Sequence, residues 1–267
     1  MTARDWDAAF DVRAYLPDLG SPSDKWRVEA ASYRETAEAT YDITYGGGAR
    51  QTYDLFHPAG RPEGLLVFVH GGYWMRCEKS MFSHLAAGGV AADFAVAIVS
   101  YTLTPAARIS GITREIAAAV THAAGQVPGP IHIAGHSAGG HLAARMVCVG
   151  TLPGDVAARI ARVVPISAVS DLRPLLWTEM NETLQLDPAE ANTESPILCE
   201  PIHGPRITAW VGAHERPEFL AMTRALEEVW AAKGAVIDAV YEPGLHHFTV
   251  LEGLRHPYTT LCQSLLS

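Results

Sequence analysis

The stretch Ile131-His132-Ile133-Ala134-Gly135-His136-Ser137-Ala138-Gly139-Gly140 constrains this chain more than any other. It starts as a short β-branched run, passes through Gly-x-Ser-x-Gly and continues into a helix-compatible segment over 142–149. A strand that turns sharply into a helix lifts the side chain at the turn above the sheet, the geometry of a nucleophile elbow. Glycines at 135 and 139 suit such a turn, because a side chain two residues from the serine would collide with the neighbouring strand or helix. Ser137 is therefore the candidate nucleophile.

The rest of the chain supplies strands and helices in alternation. Residues 40–45 and 51–57 alternate β-formers around Gly46-Gly47-Gly48, a hairpin signal that predicts two antiparallel edge strands. The apolar run Leu65-Leu66-Val67-Phe68-Val69 reads as a strand covered on both faces, and 94–99 as another. Further strands are predicted at 162–166, 206–211 and 235–241, with helices at 113–125 and 218–233, the latter stopped near Gly234. Eight strands alternating with helices predict a mostly parallel sheet with right-handed crossovers, in one domain spanning 1–267. Residues 1–38, with Trp6, Phe10, Tyr15, Trp26, Pro17 and Pro22, predict an irregular arm with helical pieces packed over the core. The segment 171–203 is too long for a simple connection and predicts an irregular lid or substrate loop.

With 267 residues, 48% hydrophobic and 18% charged, the chain suits a soluble α/β fold with a substantial core. A formal net charge of −9 without clustered Lys and Arg argues against nucleic acid or anionic membrane as partner. The expected partner is a small-molecule ester or formamide, with a homodimer left open. Cys77, Cys148, Cys199 and Cys262 are widely spaced, with no Cys-x-x-Cys, and the twelve histidines show no joint ligand spacing, so neither a metal nor a cofactor is expected. Met1 to Asp7 lacks the pattern of a signal peptide and no apolar run reaches membrane-spanning length, which predicts a cytoplasmic protein.

A serine hydroxyl is a weak nucleophile at neutral pH unless a base takes its proton and a third group orients that base. In an α/β-hydrolase the order along the chain is serine, acid, histidine. The acid is expected after the strand at 206–211, where Glu215 and Glu218 are available. Glu215 is chosen because Glu218 begins the next helix. The histidine is expected after the last strand, at His246 or His247, and His247 is preferred because Phe248 can anchor it against the core. His70-Gly71-Gly72-Tyr73-Trp74 follows a strand upstream of the elbow, where this fold builds its oxyanion hole. The expected donors are the amides of Gly72, Tyr73 and Ala138, with Gly71 allowing the turn. Tyr73, Trp74 and Trp177 are the predicted substrate-binding aromatics.

With both motifs in place, the chain resembles the serine-type kynurenine formamidases (arylformamidases), near the hormone-sensitive-lipase-like esterases. His-Gly-Gly-x-Trp carries the likeness, since those esterases usually have a third glycine. Similarity extends through Tyr41-Asp42-Ile43-Thr44-Tyr45-Gly46, Asp54-Leu55-Phe56-His57-Pro58, Asp171-Leu172-Arg173-Pro174-Leu175 and His247-Phe248. The resemblance implies metal-free hydrolysis of N-formyl-kynurenine through a formyl-serine, with Ser137 as nucleophile, His247 as base and Glu215 as acid. Glu215 is a departure, because the family's usual acid is aspartate. A short-chain carboxylesterase or thioesterase, and an inactive binding protein of the same fold, are the competing expectations.

Overall fold

A computed structural model describes residues 5–16 and 21–267. Residues 1–4 and 17–20, which include Pro17 of the expected arm, lie outside them. The strands are β1 (Ala39–Thr44), β2 (Thr52–Phe56), β3 (Gly64–Val69), β4 (Phe94–Val99), β5 (Ile131–His136), β6 (Ile160–Ile166), β7 (Arg206–Gly212) and β8 (Val236–Glu242). They form one eight-stranded sheet in the order β1-β2-β4-β3-β5-β6-β7-β8. β1 and β2 are antiparallel to their neighbours, while β3 to β8 pair in parallel.

Sequence pattern explains position in this sheet. β3, β4 and β5 are buried along their whole length, as required of central strands covered on both faces. β1, at the edge, alternates half-buried with exposed residues. The pleat divides β3 between two cores. Leu65, Val67 and Val69 pack on one face with residues of α4 (Ile109–Gln126), α5 (Ala138–Arg145) and α9 (Pro217–Ala232). Leu66 and Phe68 pack on the other with Trp26 of α2 (Pro22–Arg34), the 3₁₀ segment Lys79–Ala86 and α10 (Thr260–Leu266). Fully burying each such large apolar side chain stabilises by about 1.5–3 kcal/mol, so the two cores fix the layering.

The remaining helices are α1 (Trp6–Phe10), α3 (Ala87–Ala91), α6 (Gly154–Ala157), α7 (Asn181–Leu184) and α8 (Pro188–Glu194). The helix after the elbow differs from the expectation over 142–149. α5 starts at Ala138, directly after the serine, and ends at Arg145, because Cys148 is drawn into an antiparallel bridge with Pro201. The segment 171–203 also differs from an irregular lid. It holds α7, α8 and two 3₁₀ turns, and it is pinned to the body through the buried carboxylates of Glu190 and Glu194. Arg108 grips the Glu190 carboxylate through Nη2 at 2.6 Å, and Thr113 Oγ1 donates to Glu194 at 2.7 Å.

A buried charge cluster ties the arm to the sheet. Asp54 on β2 is fully buried and accepts hydrogen bonds from Lys79 Nζ, from Arg34 Nη1 at 2.6 Å and from the Asp42 amide at 2.9 Å. The carboxylate thus joins the end of α2, the start of the 79–86 segment and the β1–β2 hairpin. Removing one partner of such a group strands the others away from water, at a cost of about 3–5 kcal/mol. Asp54→Ala is expected to lower the unfolding free energy by about 3 kcal/mol, read as a fall in the urea midpoint at unchanged slope.

Candidate active site

β5 ends in the elbow, and the turn is tight enough that only glycine fits on either side. A Cβ on Gly135 would lie 2.0 Å from the Gly139 carbonyl oxygen, and one on Gly139 would lie 2.0 Å from that of Val69 on β3. Between them Ser137 has φ 56° and ψ −117°, a left-handed conformation that costs about 1–3 kcal/mol for a non-glycine residue. Its amide donates to the Ile166 carbonyl of β6 at 2.8 Å, and its carbonyl accepts from His141 at 3.0 Å as α5 begins.

β7 and β8 bring the other two chemical groups to the same end of the sheet. Glu215 lies in a turn after β7 with its amide donating to the Gly212 carbonyl at 3.1 Å. The carboxylate is buried and fully engaged. Oε1 accepts from Ser167 Oγ at 2.6 Å and from the Gly212 amide at 3.0 Å, while Oε2 pairs with His247 Nδ1 at 2.7 Å. His247 is itself 4% exposed. Its ring packs between those of His136 and Phe219, with centroids 4.6 and 4.7 Å away, and Phe248 meets it edge-on at 5.5 Å. His136 Nε2–H donates to the His247 carbonyl at 2.8 Å, which fixes the backbone that carries the ring. Burial holds the His136 pKa well below the usual imidazole range, so it adds no positive charge beside His247.

The alternatives in both loops stand elsewhere. His246 Nδ1 accepts from the Phe248 amide at 3.2 Å, and its own amide donates to Thr249 Oγ1 at 3.0 Å, so it serves to shape the turn. Glu218 sits in the first turn of α9.

The loop after β3 lies against the elbow. A Cβ on Gly71 would be 2.7 Å from the His136 carbonyl oxygen and 3.0 Å from Ser137 Cβ. Gly72, Tyr73 and Trp74 have φ of 110°, 55° and 58°, so three successive residues turn through left-handed backbone. Among the described residues, the amides of Gly72, Tyr73 and Ala138 meet no acceptor, the Ala138 amide because it opens a helix. His70 props this loop from beneath. Its ring stacks on Tyr101 at 4.5 Å, its Nδ1–H donates to the Gly71 carbonyl at 2.8 Å, and burial lowers its pKa to about 4, leaving it neutral.

A cavity of about 540 Å³ opens over Ser137 and His247, with Gly71, Gly72 and Tyr73 on its wall. Of the three predicted substrate-binding aromatics only Tyr73 lines it. Trp74 points into the body, fully buried with its edge against His141 at 5.1 Å, because the two positive-φ residues reverse the loop. Trp177 is 75% exposed and outside the cavity. From 171–203 only Glu179 and Met180 reach the cavity.

The opposite wall comes from the arm. Phe10 to Arg13 and Trp26 line it, together with Phe82 and Phe248. Tyr73 Oη donates to the Phe10 carbonyl at 2.7 Å, the Glu179 amide donates to Asp7 Oδ1 at 2.7 Å, and Arg216 Nε donates to the Asp11 carbonyl at 2.6 Å. Phe10 meets Phe219 edge-on at 6.2 Å, so the residue that packs the arm down also packs His247. Sequence reasoning assigned no site role to Ser167, His136, Phe219 or the arm residues, although it named Phe10 and Trp26 as packing over the core. Ser167, just past the carboxyl end of one predicted strand, and His136, at the end of the strand that enters the elbow, carry a positional signal for their roles.

Among the described residues, no group of three or more His, Cys, Asp or Glu side chains is arranged to hold a metal ion, and no helix is long and apolar enough to cross a membrane. The BD-FAE family profile matches residues 53–179, which contain the loop after β3 and the elbow. The kynurenine formamidase of Danio rerio is 25% identical over 91% of this chain and 84% of its own length, and that of Salmo salar 27% over 87% and 83%. A crystal structure from Silicibacter sp. TM1040, provisionally assigned as a thioesterase, superimposes with a TM-score of 0.95 at 44% identity, covering 99% of this chain and 100% of the other. Esterase B of Lactobacillus rhamnosis shares the fold at a TM-score of 0.68 and 17% identity, covering 96% and 93%. The eight-stranded sheet with the elbow near its centre gives the chain the α/β-hydrolase fold, and these matches over most of its length make it a hydrolase that is similar to the kynurenine formamidases and to esterases of the same fold.

Proposed function

We propose that the protein hydrolyses a small aryl formamide, N-formyl-kynurenine being the leading substrate, through an acyl-serine formed on Ser137. The observation that carries this reading is the 2.7 Å contact between Glu215 Oε2 and His247 Nδ1, with His247 and Ser137 on the floor of one cavity. With Nδ1–H held by the carboxylate, Nε2 is the free basic nitrogen. His247 takes the hydroxyl proton as Ser137 Oγ attacks the formyl carbon. The developing oxyanion is received by the amides of Gly72, Tyr73 and Ala138, each such donor contributing about 3–4 kcal/mol to the transition state. The aryl amine leaves with the proton from His247, and a water, deprotonated by the same ring, attacks the formyl ester and releases formate.

Aromatic walls supplied by Phe10, Tyr73, Trp26 and Phe248 favour a flat leaving group. The formamidase relatives over most of the chain support the same substrate class. The second reading is a short-chain esterase or thioesterase, favoured by the solved structure at 44% identity. Steady-state comparison of N-formyl-kynurenine with p-nitrophenyl acetate, p-nitrophenyl butyrate and a short acyl thioester decides between them. N-formyl-kynurenine is expected to give the highest kcat/KM, at least tenfold above the others. Equal or better turnover of an ester or thioester would replace the first reading by the second.

Roles within the site are open to direct test. Glu215→Gln presents an amide where a carboxylate selects the histidine tautomer, and kcat is expected to fall about 10³- to 10⁴-fold with the thermal midpoint little changed. Ser167→Ala removes one of three hydrogen bonds to that carboxylate and is expected to lower kcat about tenfold, equivalent to about 1.4 kcal/mol.

The histidine doublet makes a paired comparison. His247→Ala is expected to lose at least about 10³-fold in kcat, whereas His246→Ala stays within about tenfold of the parent. The reverse order would move the base to His246.

A further inference from the structure

The residue between Gly135 and Ser137 is a histidine, and the proposed chemistry uses only one of its two ring nitrogens. His136 Nε2 lies 2.8 Å from the His247 carbonyl oxygen. A carbonyl can only accept, so Nε2 carries the ring proton and Nδ1 carries the lone pair. The surroundings hold the ring in that state: it is 4% exposed, its centroid is 4.6 Å from that of His247, and burial keeps it neutral. Nδ1 is therefore a fixed acceptor, and among the described residues it meets no donor.

That acceptor stands beside the nucleophile. A Cβ on Gly71 would lie 3.3 Å from His136 Nδ1 and 3.0 Å from Ser137 Cβ, so the ring nitrogen and the serine side chain border the same point next to the oxyanion loop. Gly71, His136, Ser137 and His247 all line the cavity. The other unpartnered nitrogens of buried histidines, such as His70 Nε2, His132 Nδ1 and His141 Nδ1, are sealed inside the protein. A buried polar atom normally finds a partner, and on the wall of this cavity the partner can be a substrate group.

We propose that His136 Nδ1 accepts the N–H of the scissile formamide, and that this hydrogen bond sets a preference for formamides over esters. The assignment rests on the formamidase reading. For the aryl amine to leave, its nitrogen lone pair must face the protonated His247, which turns the nitrogen's own hydrogen away from the base. An ester oxygen has no such hydrogen to place. Between walls that include Phe10, Trp26, Phe82 and Phe248, an N–H without an acceptor raises the barrier to acylation. A neutral imidazole nitrogen takes it without adding charge beside His247.

The test compares formanilide, which has the N–H, with N-methylformanilide, which has a methyl group in its place. The ratio of their kcat/KM values is read in the parent, His136→Gln and His136→Asn, so that any disturbance of His247 falls on both substrates and cancels. The parental ratio is expected to be about 30 or above. His136→Gln keeps an amide donor near the Nε2 position and lacks the acceptor, and its ratio is expected to fall at least about tenfold. His136→Asn sets Oδ1 near the Nδ1 position and gives up the bond to the His247 carbonyl, so it is expected to turn over both substrates more slowly and to keep the parental ratio. A parental ratio near one, which needs no folded variant to measure, would overturn the proposal while leaving formamide hydrolysis in place. An unchanged ratio in His136→Gln, or an equal fall in His136→Asn, would overturn it in the same way. Turnover of phenyl formate with none of either formamide would overturn the formamidase reading, and this assignment with it.

Discussion

The site depends on a contact between backbones rather than between side chains. Gly139 lies so close to the Val69 carbonyl, and Gly135 to the Gly139 carbonyl, that β3, β5 and the start of α5 have no freedom to slide against one another. The Ser137 amide is tied in turn to the Ile166 carbonyl of β6. Three strands therefore determine where one hydroxyl stands, and the left-handed backbone at Ser137 is sustained by that packing rather than by local preference. Preorganisation of this kind is set when the protein folds, so none of it has to be supplied when substrate arrives.

The electrostatics around this point are spare. The Glu215 carboxylate is buried, and its hydrogen bonds come from a hydroxyl, an amide and an imidazole, with no arginine or lysine among them. A lysine or arginine there would compete with His247 for the carboxylate and weaken its hold on the developing imidazolium. The neighbouring histidines follow the same economy. His70, His136 and His141 are all buried and held neutral by desolvation, so they act as shaped aromatic donors and acceptors rather than as charges.

How much of this could be read from the residues follows from which forces act locally. Apolar runs marked β3 and β4 because central strands are covered on both faces, a short β-branched run marked β5, and the Gly-x-Ser-x-Gly spacing marked the elbow because glycine is required where backbones nearly touch. The Glu215 and His247 positions were readable because the fold orders its strand ends along the chain, and the structure brings those two side chains together. Trp74 and Trp177 were misjudged for a different reason. An aromatic residue beside a functional loop packs the core as readily as it lines a pocket, and the sign of φ at Tyr73 and Trp74, which decides between the two, is not written in composition. Ser167 and Phe10 reach the site only through strand order and long-range docking, and spacing within a segment carries no trace of either.

The cavity wall contributed by residues 10–13 comes from the start of the chain, whereas Ser137, Glu215 and His247 come from the sheet's carboxyl edge. The two halves meet through a handful of hydrogen bonds and the Phe10–Phe219 contact. Part of the cavity's shape is thus encoded in a stretch of sequence separate from the proposed bond-making groups. Mutational drift in the first few turns can reshape what the cavity admits while the sheet edge stays as it is, a route by which one scaffold diversifies its substrates without rebuilding its chemistry.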